Sequence, residues 1–203
     1  RYAFESAEGL LERALLLQGT GQDPEAELRA ASRLLSIQRS LYGYASVADS
    51  PHLRRAKELA RQADRPDVLA RLLWTEWAAY DTRCDFARSE AIAGALRELG
   101  EGSDDPLVRV TGLASMGTTR WHRGDITGAT ALYDEAVRVG EAAIRPAMSL
   151  GLDLEVLLLP LPFGRYLHVL VGDGGDAADA EAGFEALAAA APDRFAVSVV
   201  ETV

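Results

Sequence analysis

A pattern of small and aromatic residues recurs along this chain about every forty residues, and no other feature limits the possible folds as strongly. Its clearest copy spans residues 117–136 and combines small residues in two helical segments, a glycine–aspartate turn and one aromatic residue: Gly117, Gly124-Asp125, Ala129, Tyr133 and Ala136. The spacings of four and three residues after the turn place Ala129, Tyr133 and Ala136 on one helical face. The copy therefore predicts two antiparallel helices joined by a tight turn.

Each residue type in this copy has a physical task. Gly117 and Ala129 let the two helices approach closely, and Tyr133 fills the space beside them. Gly124 takes the turn conformation that a side chain disfavours. Asp125 lies where a carboxylate accepts hydrogen bonds from the unpaired N–H groups of the next helix.

Looser copies of the same arrangement occur on both sides. The turn positions are residues 44, 84, 124 and 175, and successive turns are 40, 40 and 51 residues apart. Ala7, Leu11 and Ala14 match the second helix of a copy without its first helix. The remaining copies share the small and apolar positions after the turn, namely Leu53 and Ala56; Cys84-Asp85, Ser89, Ala93 and Leu96; and Gly175-Asp176, Ala180, Phe184 and Leu187.

Apolar spacing and breaker residues predict ten helices. Ser50-Pro51 and Asp105-Pro106 each read as an N-cap followed by proline at the first helical position. Breaks are also predicted at Arg65-Pro66 and Arg145-Pro146, and the two prolines near residue 160 account for the 51-residue spacing. The predicted helices cover residues 3–18, 25–42, 51–63, 67–83, 86–99, 106–122, 126–142, 147–158, 163–171 and 177–190.

These elements predict an all-α fold, a right-handed α-solenoid of stacked antiparallel helix pairs in which no repeat is stable alone. We expect one helical-repeat domain over residues 1–203, with a partial repeat at 1–20 and the start of a further element at 193–203. The full repeats are expected near 24–63, 66–100, 105–142 and 147–192. Because Arg1 opens directly on a helical pattern, we interpret the chain as a piece of a longer polypeptide.

Composition narrows the class of function. Asp and Glu total 31 against 21 Lys and Arg, so the formal net charge is -10 and direct binding of nucleic acid by this segment is not expected. The single cysteine, Cys84, permits no internal disulfide and no multi-cysteine metal site, which is compatible with the cytoplasmic location that we expect. The longest strongly apolar run, residues 156–163, is too short to span a membrane.

Two resemblances follow from these residues. The Leu–Gly–Arg–Gly–Ala–Tyr–Ala skeleton of residues 113–136 resembles a tetratricopeptide repeat, with Arg120 in place of the usual aromatic residue. The stretch from Ala7 through Leu41-Tyr-Gly-Tyr44, Arg55-Ala56 and Leu73-Trp74-Thr-Glu-Trp77 to Asp85-Phe86 is similar to the helical-repeat region of actinobacterial SARP-type and LuxR-type transcriptional regulators. The resemblance implies a STAND-type ATPase domain and a DNA-binding module on the same polypeptide, which the repeats would control.

Two alternative sites fit the sequence less well than the repeat register does. His168-Val-Leu-Val171 followed by Gly172-Asp-Gly-Gly-Asp-Ala177 fits a strand and the G-x-G-x-x-A pattern of a dinucleotide-binding enzyme, although Asp173 and Asp176 would repel the pyrophosphate. Asp173, Asp176 and Asp179 also suggest a calcium loop, but the required Gly and Glu positions hold Ala178 and Phe184.

We expect no catalytic residue, metal site or cofactor. The histidines at 52, 122 and 168 have no metal-ligand spacing, and His168 is predicted to be a core or interface residue. Cys84 is interpreted as a small space-filler at a glycine-like turn position, and Trp77 is expected to pack in the core.

The register does predict one binding surface, because first helices line the concave groove of a solenoid. Its aromatic and hydrogen-bonding residues, which we name the predicted groove residues, are Gln38, Tyr42, Trp74, Asp81, Thr82, Thr118, Trp121, His122 and Arg165. Such a surface suits a protein partner or another domain of the same polypeptide, with a peptide or small-molecule effector as the alternative. We therefore predict a protein-interaction or regulatory module rather than an enzyme.

Overall fold

In the computed structural model, residues 2–18, 23–149, 164, 167–168 and 170–172 are described. These residues form helices without any β-strand, as the sequence predicts, and the helices that pack include α1 with α2, α2 with α3, α3 with α4, and α6 with α7. A 3₁₀ helix, Tyr44–Val47, lies between α2 and α3 and contacts both α2 and α4. The α-helices are α1 (Tyr2–Gln18), α2 (Pro24–Tyr42), α3 (Pro51–Gln62), α4 (Pro66–Thr82), α5 (Phe86–Glu101), α6 (Pro106–His122) and α7 (Ile126–Ser149).

The predicted bounds of the first six helices agree with the structure within two residues. Capping residues and prolines mark several of these helix ends in the sequence. The predicted break at Arg145-Pro146 is wrong, since α7 runs through Pro146 to Ser149. Proline removes one hydrogen bond and bends a helix, but it need not end one that good helix formers flank on both sides. The start predicted at residue 147 is therefore wrong too, and the rest of the segments predicted beyond residue 149 lies mostly outside the described residues.

The chain divides into two compact units, Arg1–Ile92 and Ala93–Val203, and the division falls within α5. In the first unit, apolar side chains of α2, α3 and α4 form the core together with Val47 and Ala48 from the 3₁₀ segment. The expected single domain and its repeat boundaries stay predictions.

Two partly buried ion pairs join the helices of the first unit. The Arg55 guanidinium of α3 donates to both carboxylate oxygens of Glu27 on α2, with Nε–Oε1 at 2.7 Å and Nη2–Oε2 at 2.9 Å. Glu27 is buried, and the bidentate pairing satisfies a charge that would otherwise be costly to desolvate. Lys57 of α3 likewise pairs with Glu76 of α4 at 2.5 Å.

In the second unit, some helices approach each other closely at glycines. A Cβ placed on Gly117 would lie 3.1 Å from the Tyr133 ring, and Tyr133 is buried at 1% exposure. This confirms the expected role of Gly117 and Tyr133 between α6 and α7. A closer approach, which the sequence analysis missed, occurs between α5 and α6, where a Cβ on Gly112 would lie 2.6 Å from the Leu96 carbonyl oxygen.

The turns after α4 and α6 are alike at a fixed offset of 40 residues. Cys84 and Gly124 have φ values of 58° and 81°. Asp85 N–H donates to the Tyr80 carbonyl and Asp125 N–H to the Arg120 carbonyl, each at 3.0 Å. This six-to-one hydrogen bond around a left-handed residue is the Schellman motif that ends many helices.

The helix starts repeat at the same offset. Pro66 and Pro106 open α4 and α6, and Phe86 and Ile126 open α5 and α7. The Asp125 carboxylate accepts the Gly128 N–H at 2.9 Å, and the Asp85 carboxylate accepts the Arg88 N–H at 3.3 Å. The aspartate therefore caps the second helix, as the sequence predicts.

The two proline-led caps differ from each other. The Asp105 carboxylate accepts the Leu107 N–H at 2.9 Å, whereas Ser50 occupies the N-cap position of α3 without a hydrogen bond from its hydroxyl.

Replacing Cys84 with glycine is expected to stabilise the fold by about 0.5–1 kcal/mol, because Cys84 holds a left-handed conformation that costs an L-residue energy and glycine almost none. Urea unfolding followed by circular dichroism measures the change. Cys84→Val should destabilise the fold, since a β-branched residue is strained there. Equal stability of both variants would contradict the assigned conformation.

Candidate functional site

Two of the predicted groove residues lie together at the end of α2 and bind the same carboxylate of α1. The Tyr42 hydroxyl donates to Glu8 Oε2 at 2.8 Å, and Gln38 Nε2 donates to Glu8 Oε1 at 3.2 Å. The hydrogen bond to Glu8, followed by desolvation and the nearby carboxylates, raises the pKa of Tyr42. The Tyr42 ring is 59% exposed, so one face of it remains accessible although its hydroxyl is held.

Trp74 lies in an aromatic cluster on the same unit, beneath a guanidinium. Its ring meets the Tyr44 ring edge-on at a centroid distance of 5.6 Å and the Trp77 ring at 6.4 Å. The Arg39 guanidinium lies 5.0 Å from the Tyr44 ring centroid and 5.6 Å from that of Trp74, within the range of cation–π attraction. Because Trp74 is only 5% exposed, a ligand would contact chiefly Arg39 and Tyr44 at the edge of this cluster.

The last turn of α4 carries Asp81 and Thr82. Asp81 is half-buried, and its carbonyl accepts the Cys84 N–H at 2.9 Å as part of the turn. Thr82 is exposed, with its hydroxyl donating to the Ala78 carbonyl of the preceding turn at 2.9 Å. These residues therefore support the helix end, and their role in a groove stays a prediction.

A polar network that the sequence analysis missed joins the end of α4 to the loop before α3. Arg83 donates to Asp49 Oδ2 at 2.7 Å and to the Ala45 carbonyl at 2.6 Å, while the Tyr80 hydroxyl donates to Asp49 Oδ1 at 3.1 Å. The Arg83 hydrogen bond, followed by that of Tyr80, lowers the pKa of Asp49. Desolvation and the Asp49 carboxylate raise the pKa of Tyr80. No motif marks this network, because its residues lie more than thirty positions apart.

The lowered pKa of Asp49 predicts a pH-dependent contribution to stability. A group whose pKa is lower in the folded chain stabilises it above the unfolded pKa, and the contribution is lost as the pH falls through the folded pKa. Asp49→Asn should therefore lower the thermal midpoint at about pH 6, and the difference from wild type should shrink towards about pH 3. The matched control is Asp104→Asn, which lies outside the network. A difference between Asp49→Asn and wild type that is independent of pH would contradict the assignment.

In the second unit, Thr118, Trp121 and His122 lie on the second half of α6. Thr118 shares a 2.5 Å hydrogen bond with the Tyr133 hydroxyl, so it also serves the α6–α7 contact. Trp121 is half-buried and packs against the cluster around Tyr133. His122 is exposed, with its ring 5.3 Å from that of Trp121. Arg165, the remaining predicted groove residue, lies outside the described residues.

The segment proposed for a dinucleotide site is helical where it is described. His168, Leu170 and Val171 are in helical conformation, so the strand that the alternative required is wrong at these positions. Leu167 is fully buried, and half-buried His168 places Nε2 at 2.8 Å from Asp134 Oδ1 of α7. Gly172 has a φ of 79°, and residues 173–179, including the suggested calcium ligands, lie outside the described residues.

A charged crevice of about 290 Å³ opens in the second unit between the end of α5, the start of α6 and α7. Arg97 and Arg109 contribute positive charge and Glu101, Asp104 and Glu135 negative charge, while Leu113 and Gly100 supply apolar surface. Arg97 is engaged with Glu101 at 2.9 Å. Sequence reasoning missed this crevice because the residues that line it come from three helices and follow no common sequence pattern.

The described part of the chain contains no group of three or more His, Cys, Asp or Glu residues that could hold a metal ion. It also contains no helix long and apolar enough to cross a bilayer. Cys84, the free thiol, is exposed at its turn. No protein-family model and no curated protein matches the chain. The contacts of its own residues are therefore the basis for a functional proposal.

Proposed function

We propose that the chain is a tetratricopeptide-like regulatory module, a right-handed α-solenoid that binds a protein partner or another domain of its own polypeptide. One observation carries the proposal: the turn, the aspartate cap and the helix starts recur at a fixed 40-residue offset between the α4–α5 and α6–α7 pairs. Helix-pair repeats of this kind stack with their neighbours and present an extended face lined by first helices.

The burial pattern supports this arrangement. The first helices α4 and α6 bury residues on every side, including polar Thr75 in α4 and Thr111 and Ser115 in α6. A helix surrounded in this way needs neighbours on several faces, which a stack of pairs supplies. By contrast, Arg54, Glu58 and Arg61 of α3 are exposed, as expected of the outward side of a second helix.

Each unit carries an exposed aromatic residue of a first helix that is proposed to bind a partner. In the first unit it is Tyr42, with half-buried Gln38 and Arg39 beside it, and in the second unit it is His122, next to half-buried Trp121. Aromatic rings and arginine supply much of the binding energy at protein interfaces. This composition fits a peptide or helix better than a nucleic acid, which the net charge of -10 disfavours.

The regulatory part of the proposal rests on the resemblance to SARP-type and LuxR-type regulators. On that basis the module relays partner binding to a STAND-type ATPase domain and a DNA-binding module on the same polypeptide, in the cytoplasm, without catalysis of its own.

A second candidate function, a small-ligand sensor, is favoured by the charged crevice, where Arg109 and Glu135 would bind a ligand that carries both a negative and a positive charge.

Calorimetric titration of the chain with the ATPase domain of its own polypeptide tests the proposal. We expect binding that Tyr42→Ala and His122→Ala each weaken by about fivefold or more, as for exposed interface aromatics. Phe86→Ala, an exposed aromatic at the start of a second helix, is the matched control and should leave the affinity unchanged.

The two candidate functions separate in the same assay. A polypeptide that carries no ATPase domain, or binding that neither variant weakens, would refute the regulatory proposal. Amino acids and other zwitterions that raise the thermal midpoint of the wild type but not of Arg109→Ala would favour the small-ligand sensor instead.

A further inference from the structure

The charged crevice of the second unit lies beside the close approach of α5 and α6. A Cβ on Gly112 would lie 3.0 Å from the Cα of Arg97. A Cβ on Gly100 would lie 3.1 Å from the Cα of Arg109. Each arginine therefore starts where the two helix backbones nearly touch, and its side chain lines the crevice beside that contact.

The charged side chains of the crevice differ in whether they already have a partner. Arg97 pairs with Glu101 one turn later on α5, with Nε–Oε1 at 2.9 Å. By contrast, the side chains of Arg109, Asp104 and Glu135 form neither an ion pair nor a hydrogen bond within the described part of the chain. The crevice therefore offers a ligand one unpaired positive charge and two unpaired negative charges.

This charge pattern selects among small ligands. Glu135 is half-buried, and a ligand cation would offset the cost of its partial desolvation. One guanidinium and two carboxylates are complementary to a ligand that carries one carboxylate and two cationic groups. A zwitterion with a single cation would leave one carboxylate of the crevice unpaired, and a diamine without a carboxylate would leave Arg109 unpaired.

The volume of the crevice limits the size of the ligand. At about 290 Å³, the crevice has roughly the volume of ten water molecules, so that a ligand of about ten non-hydrogen atoms fits. Leu113 and Gly100 supply apolar surface in the same lining, which suits a short aliphatic chain between charged groups. Lysine and its close analogues combine this size, this chain and these charges.

We propose that the crevice is a binding site for a basic amino acid, with the ligand's α-carboxylate on Arg109 and its two cationic groups on Asp104 and Glu135. The guanidinium donates to the ligand's carboxylate, and the ligand's cationic groups donate to the two carboxylates of the chain. The inference rests on the small-ligand sensor, the second candidate function, whose ligand class it names. It is independent of partner binding through Tyr42 and His122.

Amide NMR titration of the full chain with lysine tests the proposal, because the shifts report both the dissociation constant and the place of binding. Three probes each lack one charge of lysine: norleucine lacks the side-chain ammonium, cadaverine the α-carboxylate and Nα-acetyllysine the α-ammonium. We expect lysine to shift the amides of Gly100 and Ser103. Each probe should bind about fivefold or more weakly than lysine, because it leaves one charge of the crevice without a partner.

Substitutions in the crevice should remove this discrimination. Arg109→Gln should bind lysine and cadaverine with equal affinity, since the α-carboxylate of lysine then has no cation to pair with. Asp104→Asn and Glu135→Gln should each weaken lysine binding by about fivefold or more. Glu98→Gln is the matched control, because Glu98 is an exposed carboxylate of α5 outside the crevice, and it should bind lysine as the wild type does.

The possible failures separate the ligand class from the sensor. Equal affinity for lysine and norleucine, or tighter binding of glutamate than of lysine, would overturn the ligand class and keep an amino-acid sensor. An Arg109→Gln variant that still prefers lysine to cadaverine would overturn the proposed placement of the carboxylate. Amide shifts that no amino acid produces at the crevice would overturn the sensor as well, and partner binding through Tyr42 and His122 would still stand.

Discussion

Replacing Tyr133 with alanine is expected to lower the free energy of unfolding by about 3–5 kcal/mol, the cost of deleting a large aromatic side chain from a packed core. The Tyr133 ring is 1% exposed and lies against Gly117, so its removal leaves a cavity between α6 and α7 that their backbones cannot close without moving. The substitution also removes the 2.5 Å hydrogen bond between the Tyr133 hydroxyl and Thr118. Urea unfolding monitored by circular dichroism measures the loss.

Tyr133→Phe separates packing from hydrogen bonding in the same assay. Because phenylalanine keeps the ring and removes only the hydroxyl, it should cost about 1 kcal/mol. Thr118 keeps its hydrogen bond to the Ala114 carbonyl in that variant. A Tyr133→Ala variant as stable as Tyr133→Phe would show that the ring does not fill the space between α6 and α7.

Replacing Gly112 with alanine is expected to destabilise the fold by about 1–3 kcal/mol, although alanine is the better helix former. A methyl group at this position would lie 2.6 Å from the Leu96 carbonyl oxygen and 3.0 Å from Arg97 Cα. Both contacts are with the backbone of α5, so no side chain can rotate away to relieve the overlap. The helices must separate, and the loss of packing is read as a lower urea midpoint.

Gly94 of α5 provides the matched control, because it is also a glycine inside a helix of the second unit but has no atom within 4 Å of an added Cβ. Gly94→Ala should stabilise the fold by about 0.5–1 kcal/mol through helix propensity alone. Both substitutions replace glycine with alanine, but we expect them to change the free energy of unfolding in opposite directions. The same sign for both would mean that α5 and α6 do not approach closely at Gly112.

Helix existence and most helix ends could be predicted from the sequence because they depend on local chemistry. Asp105-Pro106, Gly124-Asp125 and the apolar spacing act within one or two turns of the residues that they organise. The positive φ of Cys84 was also predictable, because the 40-residue register aligns Cys84 with Gly124. Pro146 was misinterpreted because a proline inside a helix and a proline that ends one carry the same local signal.

Side-chain partners could not be predicted in the same way, because they depend on how separate helices meet. The register placed Trp74 on the predicted groove, and whether its ring is covered depends on Arg39 and Tyr44, which come from α2 and the 3₁₀ helix. Likewise, the close approach at Gly112 depends on the position of the Leu96 carbonyl. A single glycine in a helical pattern does not reveal which backbone will cross it.

The proposal that this chain is a stack of interchangeable helix pairs is tested most directly by removing one period. Deletion of residues 86–125 joins Asp85 to Ile126, so that α4 and α7 meet through the same turn that now follows each first helix. We predict that this variant keeps its helical circular-dichroism spectrum and one cooperative thermal transition, whereas deletion of residues 86–127, which shifts α7 by two residues relative to the turn and so rotates its apolar face away from α4, loses cooperativity. Loss of cooperative unfolding in both variants alike would contradict it.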